Sequence, residues 1–134
     1  MHFAMKRALI QIAAAGILWA TAAQAAPVED PMAGFYGNTV TIAVPPWYFA
    51  RRYVDPDGTW REPRGSDWVK GVWKIENGQI CSWQTEPAVH EPHRYCYPIV
   101  ARKVGETWTT IDPETGAEVF QEIEPGRNPP KPAP

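Results

Sequence analysis

The sequence predicts a small all-β domain, built as an antiparallel meander or barrel of about eight short strands. All 15 prolines lie at or beyond Pro27, so the chain after residue 26 offers no long proline-free stretch with the apolar spacing of a helix. Short runs rich in Val, Ile, Thr, Trp and Tyr alternate with turn residues, as in antiparallel sheets. Two cysteines offer one disulfide to stabilise so small a domain.

Residues 1–25 have the features of a cleavable signal peptide. Two adjacent cations at positions 6 and 7 precede an uncharged, apolar stretch over residues 8–20, and the small residues of Ala23-Gln24-Ala25 suit signal peptidase. A transmembrane anchor is the alternative, but the apolar run is shorter than the roughly 20 residues that a spanning helix needs. We therefore expect cleavage after Ala25, a periplasmic or secreted product and no stable membrane insertion after cleavage.

The mature chain is expected to be one mildly acidic domain. Cleavage removes two basic residues and no acidic residue, which takes the formal charge from −2 to −4. A mildly acidic chain lacks the excess of positive charge that is typical of nucleic-acid binding. We expect an N-terminal extension over residues 26–36, the β-domain over residues 37–123 and a proline-rich disordered tail over residues 124–134.

Eight strands are predicted along the β-domain from alternating or β-branched runs bounded by turn residues. Such a set in so short a chain favours a barrel or a strongly curved sheet, and we expect a calycin-like arrangement. The predicted strands cover residues 37–44, 47–54, 58–62, 68–75, 79–84, 94–101, 106–111 and 117–123.

Three turns separate these strands with specific chemistry. Asn77-Gly78 is the strongest hairpin signal, because both central residues of a two-residue loop must tolerate positive φ. Residues 55–58 (Asp-Pro-Asp-Gly) and 112–116 (Asp-Pro-Glu-Thr-Gly) each combine a proline turn start with a glycine exit.

The two cysteines are expected to form a disulfide. If the strand over residues 79–84 pairs with 94–101 so that Trp83 faces Arg94, the same register places Cys81 opposite Cys96, at a separation that a disulfide accepts. In an exported protein this pair is read as a structural bond, and the sequence has no Cys-x-x-Cys redox motif.

One family resemblance covers most of the mature chain, residues 37–129. It is carried by residues 37–40, 53–60, 71–81, 96–97 and 122–129, with a Gly-x-Trp, Asn-Gly and Cys core. In these motifs the chain resembles the DUF995 group, small exported proteins of alphaproteobacteria that form a domain of unknown function. The resemblance implies a β-domain of the cell envelope and transfers no catalytic residue.

Aromatic residues interleaved with arginine are the most prominent compositional feature. Trp and Tyr can form the core of a small barrel or line a pocket for a flat or glycan ligand, and guanidinium groups stack on rings and bind carboxylates. Core packing is the alternative for the same residues, since the mature chain is poor in Leu. The candidate ligand-binding residues are Trp47, Tyr48, Arg51, Arg52, Tyr53, Trp83 and Arg94, and a stacked Trp83–Arg94 pair is the structural alternative for the last two.

The segment with His90 and His93 is the one cluster of metal-ligand residue types in the sequence. Two imidazoles three residues apart could bind Cu(II), Zn(II) or Ni(II), whereas a solvated loop beside the disulfide is the alternative. No Gly-x-Ser-x-Gly motif, phosphate loop or nucleotide fingerprint is present, so the sequence points to no catalytic residue and to no cofactor beyond this weak metal site.

These observations favour a non-enzymatic periplasmic β-domain that binds a small molecule or an envelope partner. A protein inhibitor of the lysozyme-inhibitor type is a second hypothesis, although the chain carries no recognisable inhibitory loop motif. A third is a metal-assisted or cofactor-free enzyme that uses the His90 and His93 loop.

Overall fold

The computed structural model describes residues 29–127, and these form eight β-strands and no helix. The predicted all-β class is confirmed, and each predicted strand is present within a few residues. The strands are β1 (Thr39–Val44), β2 (Tyr48–Val54), β3 (Thr59–Arg64), β4 (Asp67–Glu76), β5 (Gln79–Glu86), β6 (Tyr95–Pro98), β7 (Thr107–Ile111) and β8 (Glu118–Glu124). The predicted signal peptide and cleavage site lie outside the described residues.

The eight strands form one antiparallel sheet that curls into a nearly closed barrel. Strands β1 to β6 follow one another as a meander, and the β7–β8 hairpin adds to the free side of β1. The resulting order, β6-β5-β4-β3-β2-β1-β8-β7, leaves β6 and β7 as the two edges. We call the gap between these two strands the seam.

The antiparallel pairing divides the connections between two ends of the barrel. The segments 45–47, 65–66, 87–94 and 112–117 lie at one end, which we call the mouth. The segments 55–58, 77–78 and 99–106, together with the N-terminal residues 29–38, lie at the other end, which we call the base. The longest of the mouth connections is the β5–β6 loop.

The described part of the N-terminal extension packs against the barrel. Met32 is buried in one cluster with Val40, Val54, Trp60 and Val69. Its amide nitrogen donates a hydrogen bond to the Asp30 carboxylate at 2.9 Å, which holds the local turn. The base is therefore covered by chain that precedes the first strand.

The Asn77-Gly78 hairpin is confirmed. Both residues have positive φ, 50° and 71°, and they join β4 to β5 with Glu76 paired to Gln79. A two-residue loop of this kind matches the right-handed twist of its strands, and only a residue without a Cβ, or Asn, adopts it at little cost.

The predicted disulfide is also confirmed. Cys81 and Cys96 are paired across β5 and β6 and bonded to each other, with their Cα atoms 4.1 Å apart. Strand β6 is shorter than predicted, because it begins at Tyr95 and ends at Pro98, which has no amide hydrogen to continue the ladder. Arg94 therefore lies outside the strand, although its guanidinium still stacks 4.7 Å above the Trp83 ring.

The C-terminal tail begins later than the sequence predicts. Glu124 belongs to β8, and Arg127 forms an ion pair with Asp55 at 2.8 Å. The Gly126 amide donates to the Asn38 side chain at 3.1 Å, and Thr39 donates to the Gly126 carbonyl at 2.6 Å. These contacts hold residues 126 and 127 to the base, and the remaining tail lies outside the described residues.

Candidate ligand cavity

The barrel encloses a cavity with a volume of about 980 Å³. This size is at the upper end of the range of pockets that take small molecules, roughly 300 to 1,000 Å³. Toward the base its wall is mainly apolar and aromatic, with Val40, Val54, Trp60, Trp73 and Trp108. Arg102 also lines this half, where its guanidinium stacks on Trp108 at 4.7 Å and lies 3.8 Å from Glu106. The alternation of side chains along each strand places this apolar set on the inner face of the sheet.

A charged cluster interrupts this apolar wall on the mouth side. Glu62 on β3 is fully buried, and its Oε1 accepts hydrogen bonds from Arg52 Nε at 2.8 Å and Arg52 Nη2 at 2.6 Å. The Tyr48 hydroxyl lies 3.0 and 3.1 Å from the two carboxylate oxygens, and Arg64 Nη2 lies 3.7 Å from Oε2. We call Tyr48, Arg52, Glu62 and Arg64 the interior cluster; all four line the cavity.

Pairing explains how Glu62 is accommodated inside the barrel. A carboxylate without partners would be very costly in this position, but here it has a close guanidinium and a hydroxyl. Burial raises the pKa of Tyr48, and the Glu62 charge raises it further, so this hydroxyl keeps its proton. The cluster is thus a fixed polar feature in an apolar cavity.

Trp60 packs against the interior cluster on its base side. The Arg52 guanidinium lies 3.9 Å from the centre of the Trp60 ring, and the indole N–H donates to the Val72 carbonyl at 3.1 Å. The ring occupies the space above Gly71, where an added Cβ would collide with it and with the Trp83 carbonyl. A glycine at position 71 is therefore needed for this arrangement of Trp60 and Arg52.

The mouth carries a side-chain contact across the seam. His93 of the β5–β6 loop lies 3.0 Å from the Glu114 carboxylate in the β7–β8 turn, and its ring packs edge-on against Tyr95 at 4.1 Å. Tyr95 and Tyr97 of β6 line the cavity beside the seam. Burial raises the pKa of both hydroxyls, and Asp112 on the other side adds to the effect.

The predicted ligand-binding residues are divided between the two faces of the sheet. Tyr48 and Arg52 face the cavity, and Trp47 and Trp83 also border it. Arg51, Tyr53 and Arg94 do not line the cavity. Because neighbouring residues of a strand point in opposite directions, a consecutive set such as residues 51–53 is never placed on one wall.

The three residues outside the cavity make contacts of their own. Arg51 lies 3.6 Å from Glu124, and Arg94 lies 2.6 Å from Glu76. Tyr53 is buried on the outer face, beside Trp68 and the Arg127 guanidinium. These contacts stabilise the barrel wall and do not reach the cavity.

The predicted metal ligands are not brought together as a site. His90 is exposed, and His93 is engaged by Glu114. Within residues 29–127 no group of three or more His, Cys, Asp or Glu side chains is placed to hold a metal ion. The same residues contain no helix long and apolar enough to cross a membrane.

Sequence reasoning missed Trp60, Glu62 and Arg64. A signal was available, since these residues alternate along β3 with Arg61 and Pro63, and a period of two places them on one face. A carboxylate on the face shared with Trp60 was the one sign of an interior charge.

No protein-family model matches the chain, and no curated protein or solved structure is significantly similar to it. The resemblance to the DUF995 group therefore stays a prediction. The candidate site rests on the geometry of the barrel itself.

Proposed function

We propose that this protein is an exported, non-enzymatic binding protein whose barrel holds a small, mainly apolar molecule. The observation that carries the proposal is the cavity of about 980 Å³ with its apolar, aromatic wall and its few polar groups. Export is supported by the signal-peptide features of residues 1–25 and by the Cys81–Cys96 disulfide, which suits an oxidising compartment.

The charged interior cluster supports binding over catalysis. Its carboxylate is held by Arg52 and Tyr48, which occupy both oxygens. A carboxylate held in this way is not positioned to transfer a proton to or from a ligand. No cofactor or metal is part of the proposal.

A fluorescence titration with N-phenyl-1-naphthylamine, an apolar fluorophore, tests the proposal. We expect saturable binding of one fluorophore per chain to the mature protein. Ser82→Trp adds a large ring to the cavity wall and should weaken binding at least about fivefold. Ser66→Trp makes the same change at an exposed residue of the β3–β4 turn that does not line the cavity, and it should leave binding unchanged. Absence of saturable binding, or equal effects of the two substitutions, would contradict a ligand in the barrel.

A protein partner is the second candidate, favoured by two exposed aromatic side chains near the mouth. Trp47 is 86% exposed and Phe49 is 65% exposed, more than any other large apolar residue described. Two such side chains, two residues apart in sequence, can belong to one exposed apolar patch, and patches of this kind mark interaction surfaces. The inhibitor hypothesis predicts that the mature protein slows lysozyme and that Trp47→Ala removes this effect; unchanged lysozyme activity would dismiss it.

A further inference from the structure

The interior cluster has an uneven charge. It holds two guanidinium groups, those of Arg52 and Arg64, and a single carboxylate, that of Glu62. The cluster therefore carries one excess positive charge. In a cavity lined mainly by apolar side chains, such a charge acts more strongly than it would in water.

The two guanidinium groups have different roles in the cluster. Arg52 is committed to Glu62 by two short contacts, whereas Arg64 lies 3.7 Å away and its side chain is 54% exposed. Arg64 lies at the mouth end of β3, and its guanidinium is 5.8 Å from the centre of the Tyr48 ring. It can therefore turn toward a bound group without leaving Glu62 unpaired.

The charge of the cluster also reaches the opposite wall. Burial raises the pKa of Tyr97, and Asp112 and Tyr95 add to this, but the Arg52 guanidinium acts in the opposite direction. The same opposition holds for Tyr95. At both tyrosines the charge of Asp112 outweighs that of Arg52, so the positive charge of the cluster is strongest beside its own strands, β2 and β3.

The carboxylates at the mouth, Asp112 and Glu91, lie beside the seam, which is opposite to β2 and β3 in the strand order. Asp112 accepts hydrogen bonds from the backbone amides of Glu114 and Thr115 at 2.8 and 3.4 Å, and Glu91 is exposed to solvent. Glu62, the carboxylate inside the barrel, already accepts hydrogen bonds on both oxygens. A cationic group would find no acceptor of this kind in the cluster.

We propose that the ligand is an amphipathic anion, with an apolar body in the base half of the cavity and one anionic group at Arg64 and Arg52. This inference rests on the proposed function and names the ligand class of the same site. The body contacts Trp60, Trp73 and the aliphatic wall, and the anionic group balances the excess charge of the cluster. Guanidinium groups bind carboxylate, sulfonate and phosphate oxygens through the same hydrogen bonds.

The test compares two fluorophores that differ in one anionic group. The compound 1-anilinonaphthalene-8-sulfonate carries a sulfonate, and N-phenyl-1-naphthylamine is the same scaffold without it. We expect the mature protein to bind the sulfonate at least about tenfold more tightly, because the sulfonate accepts charge-assisted hydrogen bonds from the guanidinium groups and the neutral fluorophore does not.

Three variants vary the charge of the cluster in steps. Arg64→Gln makes it neutral and should weaken sulfonate binding about tenfold, whereas Glu62→Gln raises it to two positive charges and should strengthen binding by a similar factor. The double variant restores one positive charge and should return the affinity close to that of the unmodified protein. Arg61→Gln is the matched control, because it removes an arginine from the same strand on the outer face, beside Trp68.

The outcomes separate the two proposals. If neither fluorophore binds saturably, both the proposed function and this inference are overturned. If both bind with equal affinity and all variants behave alike, the cavity binds apolar molecules and the inference of an anionic ligand is wrong. If Arg61→Gln weakens sulfonate binding as much as Arg64→Gln does, the anion is bound by overall charge and the inference also fails.

Discussion

His93 Nδ1 lies 3.0 Å from Glu114 Oε1, and this contact joins the β5–β6 loop to the β7–β8 turn across the seam of the barrel. The two strands beside it, β6 and β7, are the edges of the sheet. At the mouth, side chains therefore connect the two edges of the sheet, β6 and β7, which are not paired through their backbones.

We expect His93→Ala to change access to the cavity more than it changes stability. Even a charged contact of this exposure contributes at most about 1 kcal/mol, so the free energy of unfolding in urea should fall by less than that. Release of N-phenyl-1-naphthylamine, followed by stopped-flow fluorescence, should become faster because the mouth loses a link across the seam. His90→Ala, which removes an exposed imidazole of the same loop that does not line the cavity, is the control and should leave the release rate unchanged. An unaltered rate in His93→Ala would show that the contact does not limit access.

The two arginines of the interior cluster should differ in their effect on stability. Arg52→Met removes the guanidinium that makes the two short contacts with Glu62, and leaving a buried carboxylate without a close cationic partner costs about 3 to 5 kcal/mol. Arg64→Met removes only a distant, half-exposed partner and should cost less than about 1 kcal/mol. Urea denaturation measures both values.

The double variant Arg52→Met with Glu62→Met should recover much of the loss, since it removes the buried carboxylate together with its guanidinium partner. Equal losses for the two single variants would contradict this account.

The disulfide should account for a large part of the stability of the domain. Its two cysteines are 15 residues apart in sequence, and closing a loop of this size contributes about 3 kcal/mol in the chain-entropy account. Cys81→Ala with Cys96→Ala should therefore lower the free energy of unfolding by about that amount. Addition of a reductant should destabilise the unmodified protein to a similar extent and leave the double variant unchanged. Two free thiols in the mature protein purified without reductant would refute the bond.

Alkaline pH should weaken the packing of the N-terminal extension. Burial raises the pKa of Tyr36 from its ordinary value of 10 to about 12, and its hydrogen bond to Asp30 and the charge of that carboxylate add to the rise. The native state therefore holds this proton at pH values where the unfolded chain has lost it. The stabilisation is complete below pH 10 and is lost as the pH rises from 10 to about 12.

Tyr36→Phe tests this pH dependence. The variant should show a smaller decline in the free energy of unfolding between pH 10 and 12 than the unmodified protein, while part of the decline persists because the pKa values of Tyr48, Tyr95 and Tyr97 are also raised. Equal slopes for the two proteins would show that Tyr36 does not contribute.

Local features of the sequence were enough to predict most of the fold. Turn chemistry and proline placement depend on a few neighbouring residues, so the Asn77-Gly78 hairpin, the eight strands and the Cys81–Cys96 register could be read directly. The boundary of the C-terminal tail was placed too early, because Arg127 is held by Asp55, a residue distant in sequence.

The site was harder to predict, because the cavity that encloses its residues exists only when the sheet curls. The sequence by itself determined an all-β chain with one disulfide and an abundance of aromatic and arginine residues. Which of those residues face inward was decided by the strand pairing, since each strand sends alternate side chains to opposite faces. Pairing of the neighbouring strands β2 and β3 placed Arg52 beside Glu62, and closure of the barrel then enclosed both with Arg64 in one apolar cavity, where a buried carboxylate requires the guanidinium contacts that define the site.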